Sequence, residues 1–108
     1  MVKEAFENAL HDVFEHLGIE VIFKPTNASS FPIIALLKEP ESVYEVGSSQ
    51  VIGQVAEFSV KASDVKPKIG DTIFVGTKKY KIHEEPLLDA SNLAWKFNAI
   101  LKGIENNE

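Results

Sequence analysis

The feature that most constrains the fold is the run over residues 58–82, where strand-like alternation is divided by turn-forming residues. Phe58 and Val60 alternate with polar residues, which is typical of a strand with one buried face. A proline and then Gly70 follow, and glycine in this context favours a tight turn. The turn leads into a second short strand, predicted over Thr72–Val75. The run therefore predicts a compact β-rich domain with tight connections.

A hairpin is predicted directly after this second strand. Gly76 begins a short loop that returns the chain into a strand over residues 79–84, because glycine supplies the backbone conformation that a tight hairpin needs. Earlier in the same run, Ser63 or Asp64 is positioned to cap a single helical turn over the two residues that follow.

The N-terminal residues predict one amphipathic helix over Val2–Leu17, ended by Gly18. An isolated helix of this length is marginal in water, so its apolar stripe must dock on another surface. We expect the stripe to pack on the sheet of the same chain; the alternative is that part of it meets a neighbouring subunit. The stripe consists of Phe6, Ala9, Leu10, Val13, Phe14 and Leu17.

The remaining apolar segments bring the prediction to about six strands and one helix. This pattern indicates a mainly β (α+β) fold, a small antiparallel β-barrel or sandwich capped by the helix. We expect a single domain over residues 1–102 and a disordered, acidic tail over residues 103–108. The other predicted strands are Ile19–Lys24, 33–37, 56–61 and 93–101.

One connection is long for so small a domain. Residues 41–53 follow Pro40, carry acidic residues around Tyr44, and contain a Gly-Ser-Ser-Gln stretch. Loops of this length in compact domains are usually functional or mobile. We therefore expect a mobile segment here.

Composition excludes several classes of function. The net charge is −5, and all 11 basic residues are lysines, so sequence-specific nucleic-acid binding is not expected. The chain has no cysteine, no apolar run long enough to span a membrane and no signal-peptide pattern, which favours an intracellular origin. Six lysines do cluster in the central run, either as a solvated rim or as a charge-complementary docking surface: Lys61, Lys66, Lys68, Lys78, Lys79 and Lys81.

No pattern in the chain predicts catalysis, a cofactor or a metal. His11 and His16 are five residues apart and therefore point in different directions from a helix. His83 has no partner at ligand spacing. The glycines at 70 and 76 are too far apart for a phosphate-binding loop, and nucleophile motifs are missing. We therefore expect a protein that is not an enzyme.

The ordered set of elements resembles one family, the phage head–tail joining (head–tail attachment, neck or connector) proteins. The similarity extends from the N-terminal helix to Leu101 and is strongest over residues 58–82, with an Asp-Val dipeptide, a Gly-Asp turn, a glycine hairpin and an aromatic-bearing strand. Residues 33–44 resemble the family's strand that runs into an acidic-proline turn and a long loop. Residues 93–100 resemble its closing strand. The absence of arginine and the short acidic tail differ from the family pattern.

The resemblance implies a structural virion component of a phage or prophage, assembled in the cytoplasm of the bacterial host. Copies would form a ring under the portal, with portal and tail proteins as partners, no cofactor and no membrane. The loop would contribute the protein-interaction residues Tyr44, Glu45, Val46, Gly47, Ser48, Ser49 and Gln50. Two alternatives stay open: a tail-completion protein on the tail side of the joint, and an unrelated β-barrel adaptor that binds proteins.

Overall fold

The computed structural model describes residues 2–38, 54–90 and 92–104. They form one helix followed by a closed, six-stranded antiparallel β-barrel with one additional short strand, so the predicted fold class is confirmed. The elements are α1 (Val2–Leu17), β1 (Ile19–Lys24), β2 (Phe31–Lys38), β3 (Val55–Lys61), β4 (Thr72–Val75), β5 (Lys78–Ile82), β6 (Leu87–Leu88) and β7 (Ala94–Ile104).

The pairing of β3 with β7 closes the barrel. Around the barrel the strands follow the order β3, β2, β1, β4, β5 and β7, and β7 then returns to β3. The long β7 strand makes this possible because its first part pairs with β3 and its last part pairs with β5. The extra strand β6 also pairs with β7, through Leu87 opposite Lys96 and Leu88 opposite Trp95.

Aromatic rings fill the centre of the barrel. Phe58 stacks on Phe97 with ring centroids 5.7 Å apart, and the edge of Tyr80 approaches Phe58 at 5.3 Å. All three side chains are buried, and Trp95 packs against this core while remaining partly exposed. Offset and edge-to-face ring pairs add to the free energy gained by burial.

The two predicted glycine turns are confirmed, and the predicted helical turn is wrong. Gly70 has φ 97° at the third position of a turn closed by the Asp71 N–H and the Lys68 carbonyl, as a type II turn requires. Gly76 has φ 62° at the first loop position of the β4–β5 hairpin. After β3, however, the chain makes a turn closed by the Asp64 N–H and the Lys61 carbonyl rather than a turn of helix.

Several strand boundaries differ from the predicted ones because pairing partners extend the strands. The second strand begins at Phe31, which pairs with Phe23. Strand β6 is not among the predicted strands and lies between those predicted over residues 79–84 and 93–101. Gly103 and Ile104 pair with the start of β5 and thus belong to β7 rather than to a tail. Residues 105–108 lie outside the described residues.

The antiparallel order gives the barrel two distinct ends. The end that we call the loop end holds the end of β2, the start of β3 and the β4–β5 hairpin. The opposite end, which we call the Asp71 end, holds the β1–β2 loop, the 62–71 connection and the start of β7. Residues 39–53 leave and re-enter the barrel at the loop end.

Asp71 ties three separate segments together at its end of the barrel. Its side chain is 1% exposed and accepts hydrogen bonds from the backbone N–H groups of Thr26 (3.0 Å) and Lys68 (2.9 Å). Its backbone carbonyl accepts a further bond from Ile82 N–H at 2.9 Å. A buried carboxylate is tolerated when its acceptor sites are filled in this way.

Helix α1 lies on the outside of the barrel, mainly against β2. Phe14 is 1% exposed, and the backbone approaches so closely at Gly18 that an added Cβ would collide with the Ile34 side chain. Val13 is 39% exposed and Leu17 is 73% exposed. The expectation that the apolar stripe packs on its own sheet is therefore correct for Phe14, holds only in part for Val13 and is wrong for Leu17.

Candidate docking surfaces

The predicted interaction residues, Tyr44 to Gln50, lie outside the described residues, but both attachment points of their segment are described. Lys38 ends β2, and Val55 begins the neighbouring strand β3. Because Lys38 pairs with Glu57, the segment departs from and returns to adjacent strands. Its two attachment points are thus held close together at the loop end.

Hydrogen bonds and an ion pair fix this attachment. The Leu101 N–H donates to the Gln54 carbonyl at 2.8 Å, which continues the pairing of β3 with β7 to the residue that directly follows the 39–53 segment. Three residues further along the chain, the Glu57 carboxylate lies 3.6 Å from the Lys96 ammonium. A rigid base of this kind can present a segment without moving itself.

A cleft of about 560 Å³ lies between the middle of α1 and the Asp71 end of the barrel. Lys61 is among its lining residues: the ammonium donates to His11 Nδ1 at 3.3 Å, is 4.0 Å from the Asp64 carboxylate, and stands 5.9 Å from the centre of the Phe14 ring. These contacts join the helix to the end of β3. Lys61 is therefore a structural cation that holds α1 in place.

The described residues offer no further chemistry in this cleft. His11 Nε2 faces Glu15 at 3.4 Å, which is an exposed i, i+4 pair of the kind common on helices. Across the described ranges, no group of three or more His, Cys, Asp or Glu side chains is arranged to hold a metal ion. What the arrangement can do is position a helix.

A second concave surface lies on the outer face of β1, β4 and β5. Ile22 pairs with Phe74, which pairs with Lys79, and the adjacent row consists of Lys24, Thr72 and Lys81. The result is an apolar pair beside three lysines, with a depression of about 320 Å³ lined in part by Lys24, Phe74 and Lys79. We call this surface the lysine-bordered depression.

The clustering of lysines in the sequence pointed to this surface only in part. Lys79 and Lys81 were among the six lysines of the central run, and their i, i+2 spacing places both on one face of a strand. Lys24, however, comes from β1, and Lys61 is occupied under the helix. Neither fact can be read from the sequence, because both depend on which strands become neighbours.

No helix within the described ranges is long and apolar enough to cross a membrane. The profile of the phage Head-Tail Attachment protein family matches residues 3–99, nearly the whole chain. This chain belongs to that family. Among individual curated proteins, none matches it. The resemblance stated from the sequence is thereby confirmed.

Membership in the head-tail attachment family gives the structure its context. The family is one of structural phage proteins rather than enzymes, so the protein has a structural role in phage head–tail joining. Phage head and tail components are its partners, and it is a component of the virion. The surfaces described above are therefore candidates for contacts within that joint.

Proposed function

We propose that this protein is a head-completion protein that forms a ring under the portal of a filled capsid and provides the surface to which the tail attaches. The match of the family profile over residues 3–99 is the observation that carries the proposal. Assembly would take place in the cytoplasm of the bacterial host. Residues 1–102 would act as one domain in this ring. Strand β7 extends this domain by two residues, to Ile104.

The barrel supports this role because it is a rigid body with unlike ends. At one end Asp71 binds the connections together; at the other, β2 and β3 hold the attachment points of residues 39–53 side by side. A rigid domain that presents a segment can contribute to a joint when that segment becomes ordered against a partner. We place the interaction residues Tyr44, Glu45, Val46, Gly47, Ser48, Ser49 and Gln50 in this contact.

Extract complementation tests the proposal directly. Filled heads made without this protein should fail to join added tails, and purified protein should restore infectious particles. If heads that lack the protein join tails as efficiently as normal heads, the proposed function is wrong. The side of the joint is read from where the protein is retained: co-purification with tailless heads supports the head side, and co-purification with free tails supports a tail-completion role instead.

The contribution of the loop has its own variants. Deletion of residues 46–50, or Tyr44→Ala, should leave thermal unfolding nearly unchanged but prevent joining, since aromatic truncation at an interface can cost about 2 kcal/mol or more. Tyr44→Phe is the matched control, because it keeps the ring and should retain activity. Wild-type yields of infectious particles from the loop-deleted protein would remove the loop from the joint.

A further inference from the structure

We propose that the exposed apolar stripe of α1 docks into the lysine-bordered depression of a neighbouring copy, and that this contact links successive subunits. The inference deepens the proposed ring and rests on it. The proposed contact joins two surfaces, one face of the helix and the outer face of β1, β4 and β5. Neither the barrel core nor the family assignment explains why these surfaces are partly apolar.

The helix has two different sides. His11, Phe14 and Gly18 face the barrel, as the Lys61 contacts and the close approach to Ile34 show. A second, exposed side is formed by Ala9, Val13 and Leu17, which are spaced i, i+4 and i+8. Val13 is rotated by roughly 100° around the helix axis from its neighbour Phe14. Among the described side chains of the stripe, this side is thus left largely exposed, most of all at Leu17.

The receiving surface combines a depression, lined by Phe74 and mainly polar residues, with the apolar pair of Ile22 and Phe74 at its edge. Ile22 is 38% exposed because it alternates with the buried residues Val21 and Phe23, and Phe74 lies directly opposite it on β4. The depression of about 320 Å³ beside them is large enough to accept apolar side chains from a helix. A convex stripe and a concave, partly apolar face are complementary in shape.

Charge selects a second copy of this chain as the occupant. Helix α1 contains four acidic residues and one lysine, and Asp12 borders the exposed stripe. The depression is bordered by Lys24, Lys79 and Lys81. Opposite charges across a contact favour the correct partner and its orientation, whereas like charges are strongly unfavourable.

The other exposed apolar pair on the barrel does not fit the same helix. Leu87 and Leu88 on β6 are 68% and 40% exposed, but the residues leading to them include Glu84 and Glu85, and the lysine opposite Leu87, Lys96, is already 3.6 Å from the Glu57 carboxylate. An acidic helix would be repelled there. The β6 surface therefore serves as an internal control for the proposed contact.

The geometry permits successive subunits to be added in one direction. The helix extends from the start of β1 across β2 towards the end of β3, where Lys61 meets it, whereas the depression lies on β1, β4 and β5. Different surfaces of one chain thus provide the two halves of the contact. Such head-to-tail contacts close into rings when the rotation between subunits allows it, and closure multiplies weak individual contacts.

Disulfide trapping tests the contact, because the chain has no cysteine of its own. The double variant Ala9→Cys with Ile22→Cys should form covalent chains longer than dimers under mild oxidation, in concentrated protein and in particles. The matched control is Ala9→Cys with Leu87→Cys, which places the second cysteine on β6. Equal trapping of the two pairs, or no species beyond the dimers that single cysteines give, would overturn the proposal.

Charge exchange separates this inference from the proposed function. Asp12→Lys and Lys24→Asp should each weaken self-association by about tenfold, and the double variant should regain most of it. If the single variants join heads to tails normally, while heads without the protein fail to join tails, this contact is refuted and the proposed function still holds. If removal of the protein leaves joining unharmed, the function fails, while trapping in solution still decides the contact.

Discussion

Phe58 and Phe14 are equally buried, yet they belong to regions of very different construction. Phe58 lies inside the barrel, in ring contact with Phe97 and Tyr80, on a strand that is paired on both sides. Phe14 lies under a helix that touches the barrel mainly through β2 and lies outside the main core cluster. Burial of a side chain therefore does not by itself report how strongly its element is coupled to the fold.

The barrel and the helix are held in place by different interactions. The barrel is held by closure, by its aromatic centre and by the Asp71 hydrogen bonds. The helix is held by one buried ring, one close backbone approach and the Lys61 contacts, and it keeps an apolar side exposed. Elements with few buried contacts have the lowest local stability, which suits a part that meets partners.

The largest effect is expected at the barrel centre. Phe58→Ala should lower the free energy of unfolding by about 3–5 kcal/mol, because it removes a buried ring and leaves a cavity between Phe97 and Tyr80. Denaturant unfolding followed by the fluorescence of Trp95, which packs against this core, measures the change. A loss below about 2 kcal/mol would show that the barrel centre can repack and that the contrast with the helix is smaller than proposed.

Asp71→Ala should cost about 2–4 kcal/mol, since it removes the carboxylate that accepts hydrogen bonds from two part-buried backbone N–H groups, those of Thr26 and Lys68. Asp64→Ala is the matched control, because Asp64 lies on a partly exposed turn and its carboxylate makes only a long, 4.0 Å contact with the Lys61 ammonium. The control should change stability by no more than about 0.5 kcal/mol. Equal effects from the two substitutions would contradict the tying role of Asp71.

Gly18→Ala should cost about 1–3 kcal/mol, because the new Cβ would overlap the Ile34 side chain and the Phe14 carbonyl. Gly103→Ala provides the control, as an added Cβ there meets nothing within 4 Å. Thermal unfolding of both variants compares the close approach with open space. If Gly18→Ala is as stable as its control, the helix is free to shift away from β2 without penalty.

The smallest effect on the barrel is expected from Phe14→Ala. Global unfolding should change by less than about 1 kcal/mol, because a peripheral element can open locally while the cooperative core stays intact. Amide hydrogen exchange within α1 should become much faster, whereas exchange in β3 and β7 should not change. A loss as large as that of Phe58→Ala would remove the distinction between the two regions.

Local patterns were sufficient for much of the fold. Alternation in the 58–82 run predicted β3, β4 and β5, and Gly70 and Gly76 predicted turns whose φ values of 97° and 62° require or favour glycine. The helix boundaries followed from the stripe and from Gly18. The candidate site could be predicted less completely. The predicted interaction residues lie outside the described ranges, and the lysine-bordered depression combines residues from three strands.

The set of helices and strands follows from local sequence, because period, turn chemistry and helix ends depend on neighbours a few residues away. Which surfaces stay exposed depends instead on contacts between distant parts of the chain. The buried Asp71 carboxylate accepts a hydrogen bond from the backbone N–H of Thr26, 45 residues earlier in the chain. Ile22 lies beside Phe74 because β1 pairs with β4. An apolar stripe predicts that a helix packs against another surface. Which part the chain itself covers is set by long-range packing, and here Phe14 is covered while Leu17 stays exposed.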